Sequence, residues 1–142
     1  GGIGTTLSHY FLTKGVKKVR IHDVNNEKSE QLCEAIRKKS SKFNFKIWNY
    51  NKNNFDYLIN ASPAGTNNEY PVHQNIIKNS KVVVDFVLSN KKTKLLELAK
   101  KNNSKIISGY EILINQIPSM LKFFGFKSLS KLELDKIKNQ YI

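Results

Sequence analysis

Cysteine is almost absent. Cys33 is the single one in 142 residues, so no disulfide can form within the chain and a reducing cytoplasm is the expected compartment. A nucleophilic thiol is the sharper reading of Cys33. The plainer reading, a small half-buried apolar residue on a helix, is the one favoured here. Long apolar runs are also absent, which excludes a membrane span. No basic stretch leads into an apolar one at the start, so no secretory signal is expected there. Acidic residues are scarce, 11 against 24 basic, and the formal net charge is +13. Arginine is scarcer still: Arg20 and Arg37 stand among lysines scattered along the whole chain. Without arginine forks or a basic stripe interleaved with aromatics, the charge reads as a solvated coat, and neither nucleic acid nor membrane is expected as a partner. Hydrophobic residues make up 39% of the sequence, enough for a folded core and too many for disorder.

Elements alternate along the chain. Ile3, Leu7, Tyr10 and Phe11 recur at helical spacing and Gly15 stops that helix. Residues 16–23 read as a strand, and residues 27–39 as a helix turning Leu32, Ala35 and Ile36 inward. Phe43, Phe45 and Ile47 alternate in a strand over 43–48. A short strand over 57–61 ends in the breaker cluster Ser62-Pro63-Ala64-Gly65. After a loop and one helical turn, residues 81–86 form a continuous apolar strand, the pattern of a parallel sheet buried on both faces. Helix 92–101 follows, with Leu95, Leu96, Leu98 and Ala99, then strand 104–108. A helix opens at Gly109 and closes at Gly125, and a last amphipathic helix covers 128–140. Trp48 and the Phe123-Phe124 pair read as core or domain-contact residues. The regular alternation predicts α/β architecture: a Rossmann-like doubly wound parallel sheet.

Gly1, Gly2 and Gly4 precede a good helix, as the later glycines of a G-x-G-x-x-G turn would. Such glycines let the backbone approach a pyrophosphate lying on the helix N-terminus. If Gly1 is the second glycine of that motif, the first strand lies upstream of this chain. Strands 16–23 and 57–61 are then expected to lack their common central neighbour. Asp23 ends its strand about 20 residues after the glycines, where an acidic side chain accepts hydrogen bonds from ribose hydroxyls and repels a 2′-phosphate. A strand-end Asp that merely caps the next helix is the structural alternative. The ribose role is favoured, and with it NAD over NADP.

Three segments sharpen this. Asn60-Ala61-Ser62-Pro63-Ala64-Gly65 resembles the Asn-Ala-Thr/Ser-x-x-Gly turn of the shikimate/quinate dehydrogenase family. Residues 83–96 resemble its Asp-x-x-Tyr-x-Pro-x-x-Thr-x-Leu-Leu stretch, and Gly109 to Gln116 resembles its Gly-x-x-Met-Leu-x-x-Gln run. The three occur in family order over most of residues 1–125. The resemblance implies a cofactor-binding domain over 1–125 and a C-terminal helix over 126–142 packing toward an N-terminal substrate domain.

The resemblance also implies an oxidoreductase that moves a hydride between NAD(P) and a cyclic polyhydroxy carboxylic acid, shikimate or quinate or their 3-dehydro forms. Gly1, Gly2 and Ile3 match the phosphate loop. Asp23, Val24 and Asn25 occupy the place of an Asn-Arg-Thr in NADP-using members, and the arginine is missing. Asn60, Ala61 and Ser62 lie beside the cofactor, Phe86 and Gly109 line its nicotinamide end, and Gln116 reaches the substrate. The family's catalytic Lys and Asp belong to the substrate domain, so no catalytic residue is assigned here, and the isolated chain is expected to be inactive. No metal site is expected, since His9, His22 and His73 are not spaced as ligands. Leu88, Asn90 and Ser108 replace the family's Tyr, Pro and Asp and leave substrate identity open. A homodimer of the intact protein stays open too. The alternatives are another two-domain reductase resembling glutamyl-tRNA reductase, and a non-catalytic basic binding module.

Overall fold

A computed structural model describes all residues except Ser41, Lys52 and Ile142. Its contacts divide the chain into two compact units, residues 1–53 and 54–142.

In the first unit α1 (Gly2–Thr13) leads to β1 (Lys18–Ile21), α2 (Asn26–Lys39) and β2 (Asn44–Ile47). β1 and β2 are parallel, with Lys18 opposite Asn44 and Ile21 opposite Ile47. Phe45 is buried from the sheet, and Cys33 and Ile36 from α2, and these side chains form the unit's core. Asn25 caps α2 by accepting a hydrogen bond from the Lys28 N–H, while Arg37, Lys38 and Lys39 complement the dipole in its last turn. One expectation fails here. Ala35 is exposed rather than inward. Only Ser8 of α1 is buried, and Ile3 and Tyr10 stay exposed. A sheet of two four-residue strands offers too narrow a face to cover the apolar sides of two helices. Cys33, expected half-buried, is fully enclosed.

In the second unit the order is β3 (Phe55–Asn60), α3 (Gln74–Lys78), β4 (Ser80–Asp85), α4 (Lys94–Lys101), β5 (Lys105–Ile107), α5 (Gly109–Phe123) and α6 (Lys131–Tyr141). β4 lies between β3 and β5, and all three strands are parallel. As its apolar run predicts, β4 is the deepest strand, with Val83, Val84 and Asp85 buried. Leu95, Leu96 and Ala99 of α4 are buried, as are Ile76 and Ile77 of α3. α5 buries Gly109 and Ile114, carries Pro118 inside it, and ends at Gly125, whose φ of 75° is the left-handed conformation glycine tolerates best.

α6 packs on α5, where Tyr141 stacks on Tyr110, and buries no residue completely. Phe123, Phe124 and Leu132 are exposed, which rules out a core role for the phenylalanine pair within this unit, while Leu121 and Ile137 are half-buried. The chain is therefore α/β with parallel sheets. β1 ladders with β2 and β3 with β4, and among the described residues no ladder joins β1 to β3. No helix among them is long and apolar enough to cross a membrane.

Candidate functional site

In each unit expected site residues stand beside the ends of parallel strands, the position at which open α/β sheets bind ligands. In the first unit β1 ends at Ile21, and the chain turns through His22, Asp23 and Val24 into the Asn25 cap. One Asp23 carboxylate oxygen, Oδ1, accepts the Asn25 backbone N–H at 3.0 Å. The other, Oδ2, lies 3.5 Å from the Gly1 nitrogen. The Asn25 backbone N–H holds the Asp23 carboxyl below its ordinary pKa, so it is ionised at neutral pH. Val24 is 98% exposed and touches little. Asn25 serves as a helix cap.

The glycines do not form a loop before the helix, as expected, but are part of it. Gly1 is the N-cap, and Gly2, Ile3 and Gly4 lie in the first turn. Thr5 N–H closes the first helical bond onto the Gly1 carbonyl at 3.0 Å. Among the described residues no side chain caps the N–H groups ahead of it. A Cβ added at Gly1 or Gly2 would meet no described atom within 4 Å. A helix start with uncapped donors beside an ionised carboxylate is the donor and acceptor set that a dinucleotide's pyrophosphate and ribose require.

In the second unit the matching residues are tied together by a buried polar network. Asn60 ends β3 and is 8% exposed. Its Nδ2 donates to the Ala64 carbonyl at 2.7 Å and to Asp85 Oδ1 at 2.9 Å, and its Oδ1 accepts from the Ser62 N–H and hydroxyl. Asp85 ends β4, is fully buried, and also accepts the Val87 N–H and, at 2.6 Å, the Thr93 hydroxyl. Thr93 in turn caps α4. Asn60 and Ser62 thus shape the turn after β3, with Ala61 half-buried between them.

Phe86 extends the β3–β4 ladder through its N–H to the Asn60 carbonyl. Gly109 begins α5 directly against this segment: an added Cβ would lie 2.6 Å from the Val87 carbonyl oxygen and 3.0 Å from that of Phe86. Only glycine allows this approach. Gln116 lies seven positions further along α5, on the same helical face about two turns on, and is exposed.

Asp85 and Thr93 went unassigned in the sequence although both stand in the matching stretch. The available signal was a polar residue at each end of the loop between the apolar β4 and the apolar α4. Two departures from the family pattern have structural uses. Asn90 accepts the Tyr110 hydroxyl at 3.0 Å, tying the loop after β4 to α5. Ser108 caps α5 by accepting the Glu111 N–H, as an aspartate would. Leu88 is exposed. Of the histidines, His73 caps α3, and His22 accompanies Trp48 and Tyr50 in an aromatic cluster that the sequence did not reveal. Trp48 is buried, as expected of a core residue. Among the described residues no group of three or more His, Cys, Asp or Glu side chains could hold a metal ion.

No family model matches the chain. A shikimate dehydrogenase (NADP(+)) of Saccharolobus islandicus is 29% identical over 130 residues, 92% of this chain and 46% of the relative. A shikimate 5-dehydrogenase-like protein of known structure superposes with a TM-score of 0.81 at 18% identity, over 96% of this chain and 51% of the other. A shikimate 5-dehydrogenase from Listeria monocytogenes, solved with shikimate and NAD, gives 0.76 at 20% identity, over the whole of this chain and 53% of its own. The chain spans about half the length of the curated relatives it matches.

Proposed function

We propose that the chain forms the nicotinamide-nucleotide half of an oxidoreductase of the shikimate dehydrogenase type, acting on a cyclic polyhydroxy carboxylic acid of the shikimate or quinate class, a reading supported by 29% identity to a shikimate dehydrogenase over 92% of this chain. The observation that carries the reading is that, within one unit, the glycine-led first turn of α1 lies beside the ionised Asp23 that follows β1. Backbone N–H groups of α1 would face the pyrophosphate, and Asp23 would accept the ribose hydroxyls. Asn60, Ala61, Ser62, Phe86 and Gly109 would wall the nicotinamide end, with Gln116 directed to substrate. A bound nicotinamide supplies the hydride chemistry. The proton transfer belongs to a lysine and an aspartate of the substrate domain, for which these residues hold no assigned counterpart.

The cofactor is NAD in preference to NADP. The curated relative carries NADP(+) in its name. The preference rests on this chain's own residues: Asp23 is anionic where a 2′-phosphate would lie, and no arginine stands at 23–25. The test is a steady-state assay of the complete protein with shikimate and quinate, each with NAD and NADP. Turnover with the higher kcat/KM for NAD is expected; no turnover of either acid overturns the activity, and an NADP preference overturns the cofactor assignment. Gln116→Ala should raise the KM for the acid and leave the Kd of NAD nearly unchanged, losing about 1.5–3 kcal/mol if it meets a charged group. Equal loss of both would remove Gln116 from the substrate site.

A further inference from the structure

We propose that His22, Trp48 and Tyr50 form a stacking platform for the purine ring of an adenine nucleotide. The inference rests on the cofactor reading above and adds to it the group that holds the base. His22 and Trp48 each follow the last residue of a parallel strand, Ile21 and Ile47, which face each other in register. The Trp48 N–H donates to the Ile21 carbonyl at 2.7 Å and carries the pairing one step past the strands. The two rings meet edge to face, with centroids 6.3 Å apart. Tyr50 then folds back over them. Its ring centroid lies 4.5 Å from that of Trp48 and 5.0 Å from that of His22, and its hydroxyl is 2.8 Å from His22 Nε2.

This arrangement is unusual for a surface loop. Tyr50 holds a φ of 63°, a conformation unfavourable for a bulky side chain. Its neighbours Asn49 and Asn51 are polar. Trp48 is buried, whereas Tyr50 remains 46% exposed, so the cluster has a packed floor and an open aromatic top. His22 directly precedes Asp23. A base joined to a ribose whose hydroxyls meet the Asp23 carboxylate lies within a few ångströms of it, and the neighbouring residue begins the aromatic cluster. Stacking on such a surface needs no base-specific hydrogen bond, since every purine offers a π-face.

The experiment follows Trp48 emission while the protein is titrated with AMP, with ADP-ribose and with nicotinamide mononucleotide, alongside calorimetric titration with NAD. AMP and ADP-ribose should alter the emission, the change should vanish in Trp48→Phe, and nicotinamide mononucleotide should leave it untouched. Tyr50→Leu, checked for wild-type circular dichroism, should weaken AMP and NAD about tenfold each, while Tyr50→Phe, which keeps the ring, should stay within about threefold of wild type. Should Tyr50→Leu misfold, Tyr50→Phe and the Trp48 signal still decide. NAD binding with no Trp48 response and no effect of Tyr50→Leu overturns the platform and leaves the cofactor reading standing. AMP binding at Trp48 with NAD no tighter than AMP supports the platform and overturns the cofactor reading. No Trp48 response to any adenine nucleotide overturns the platform.

Discussion

The two units use polar residues at strand ends in opposite ways. In residues 1–53 the polar groups after β1, His22 and Asn25, are exposed and Asp23 is partly so. In residues 54–142 the corresponding groups, Asn60 and Asp85, are buried and bonded to one another. The strands differ to match: β1 has no fully buried residue, whereas β4 has four among its six. A buried carboxylate must spend its lone pairs on protein donors, and Asp85 meets three, from Asn60, Val87 and Thr93. An exposed carboxylate need not. The same family-like pattern therefore contains two kinds of residue, those that hold the walls and those still able to meet a ligand.

Breaking the buried network should show the largest effect. Asp85→Ala would strand the Asn60, Val87 and Thr93 donors away from water, and should cost about 3 kcal/mol or more of stability. Urea unfolding would read this as a lower midpoint. A loss below about 1 kcal/mol would mean that the donors find water and that the contrast between the units is false. Gly109→Ala comes next. The added methyl meets backbone carbonyl atoms, which cannot rotate away, so α5 must shift and about 1–3 kcal/mol should be lost. Ala at Gly2, whose added methyl meets no described atom within 4 Å, should be mild by comparison.

Most of the fold was legible because its signals are local. The apolar run of β4, the alternation around Phe45, the Asn25 and Gly125 boundaries and the helix at Gly109 all lie where the pattern placed them. What failed depended on neighbours. Helical spacing put Ala35 inward, but spacing says nothing of how wide the opposing sheet is. The glycines at the start read as a loop, yet glycine tolerates a first helical turn as readily as a turn before one. In the site, Asp23 and Gly109 could be found from motif and spacing. The Asp85–Thr93 bond and the His22–Tyr50 bond could not, because each joins residues whose meeting follows only from strand register and loop path.

Asp23→Asn sharpens the comparison from the exposed side. Asp23 makes no buried bond, so the fold should stay near wild type in stability while cofactor choice changes. Removing the charge should narrow the NAD-to-NADP ratio of kcat/KM by about tenfold, roughly 1.4 kcal/mol. The measurement is that ratio in the complete protein, beside thermal midpoints of both forms. A large fall in midpoint with an unchanged ratio would return Asp23 to the helix-capping role.

Cys33 gives the smallest effect and tests how dry the first unit's core is. Burial pushes its thiol pKa up, a shift that Arg37 and Arg20 partly oppose. In the unfolded chain the thiol ionises near its usual pKa of about 8.5. Between that pH and the raised folded value, the unfolded state binds fewer protons than the folded one, so stability falls as pH rises. The protonated thiol's contribution is complete below about pH 8 and is lost as pH climbs through the folded value. Cys33→Ala removes this dependence at the cost of a small cavity. The difference between wild type and variant in unfolding free energy should therefore shrink from pH 7 to pH 10. Lysine and tyrosine titrations are common to both proteins and cancel in the difference. Thiol labelling supplies the independent reading: the folded protein should react far more slowly than the unfolded chain at pH 8. Equal rates, with no narrowing of the difference, would show that water reaches the space between α2 and β2, and that the first unit lacks a closed core.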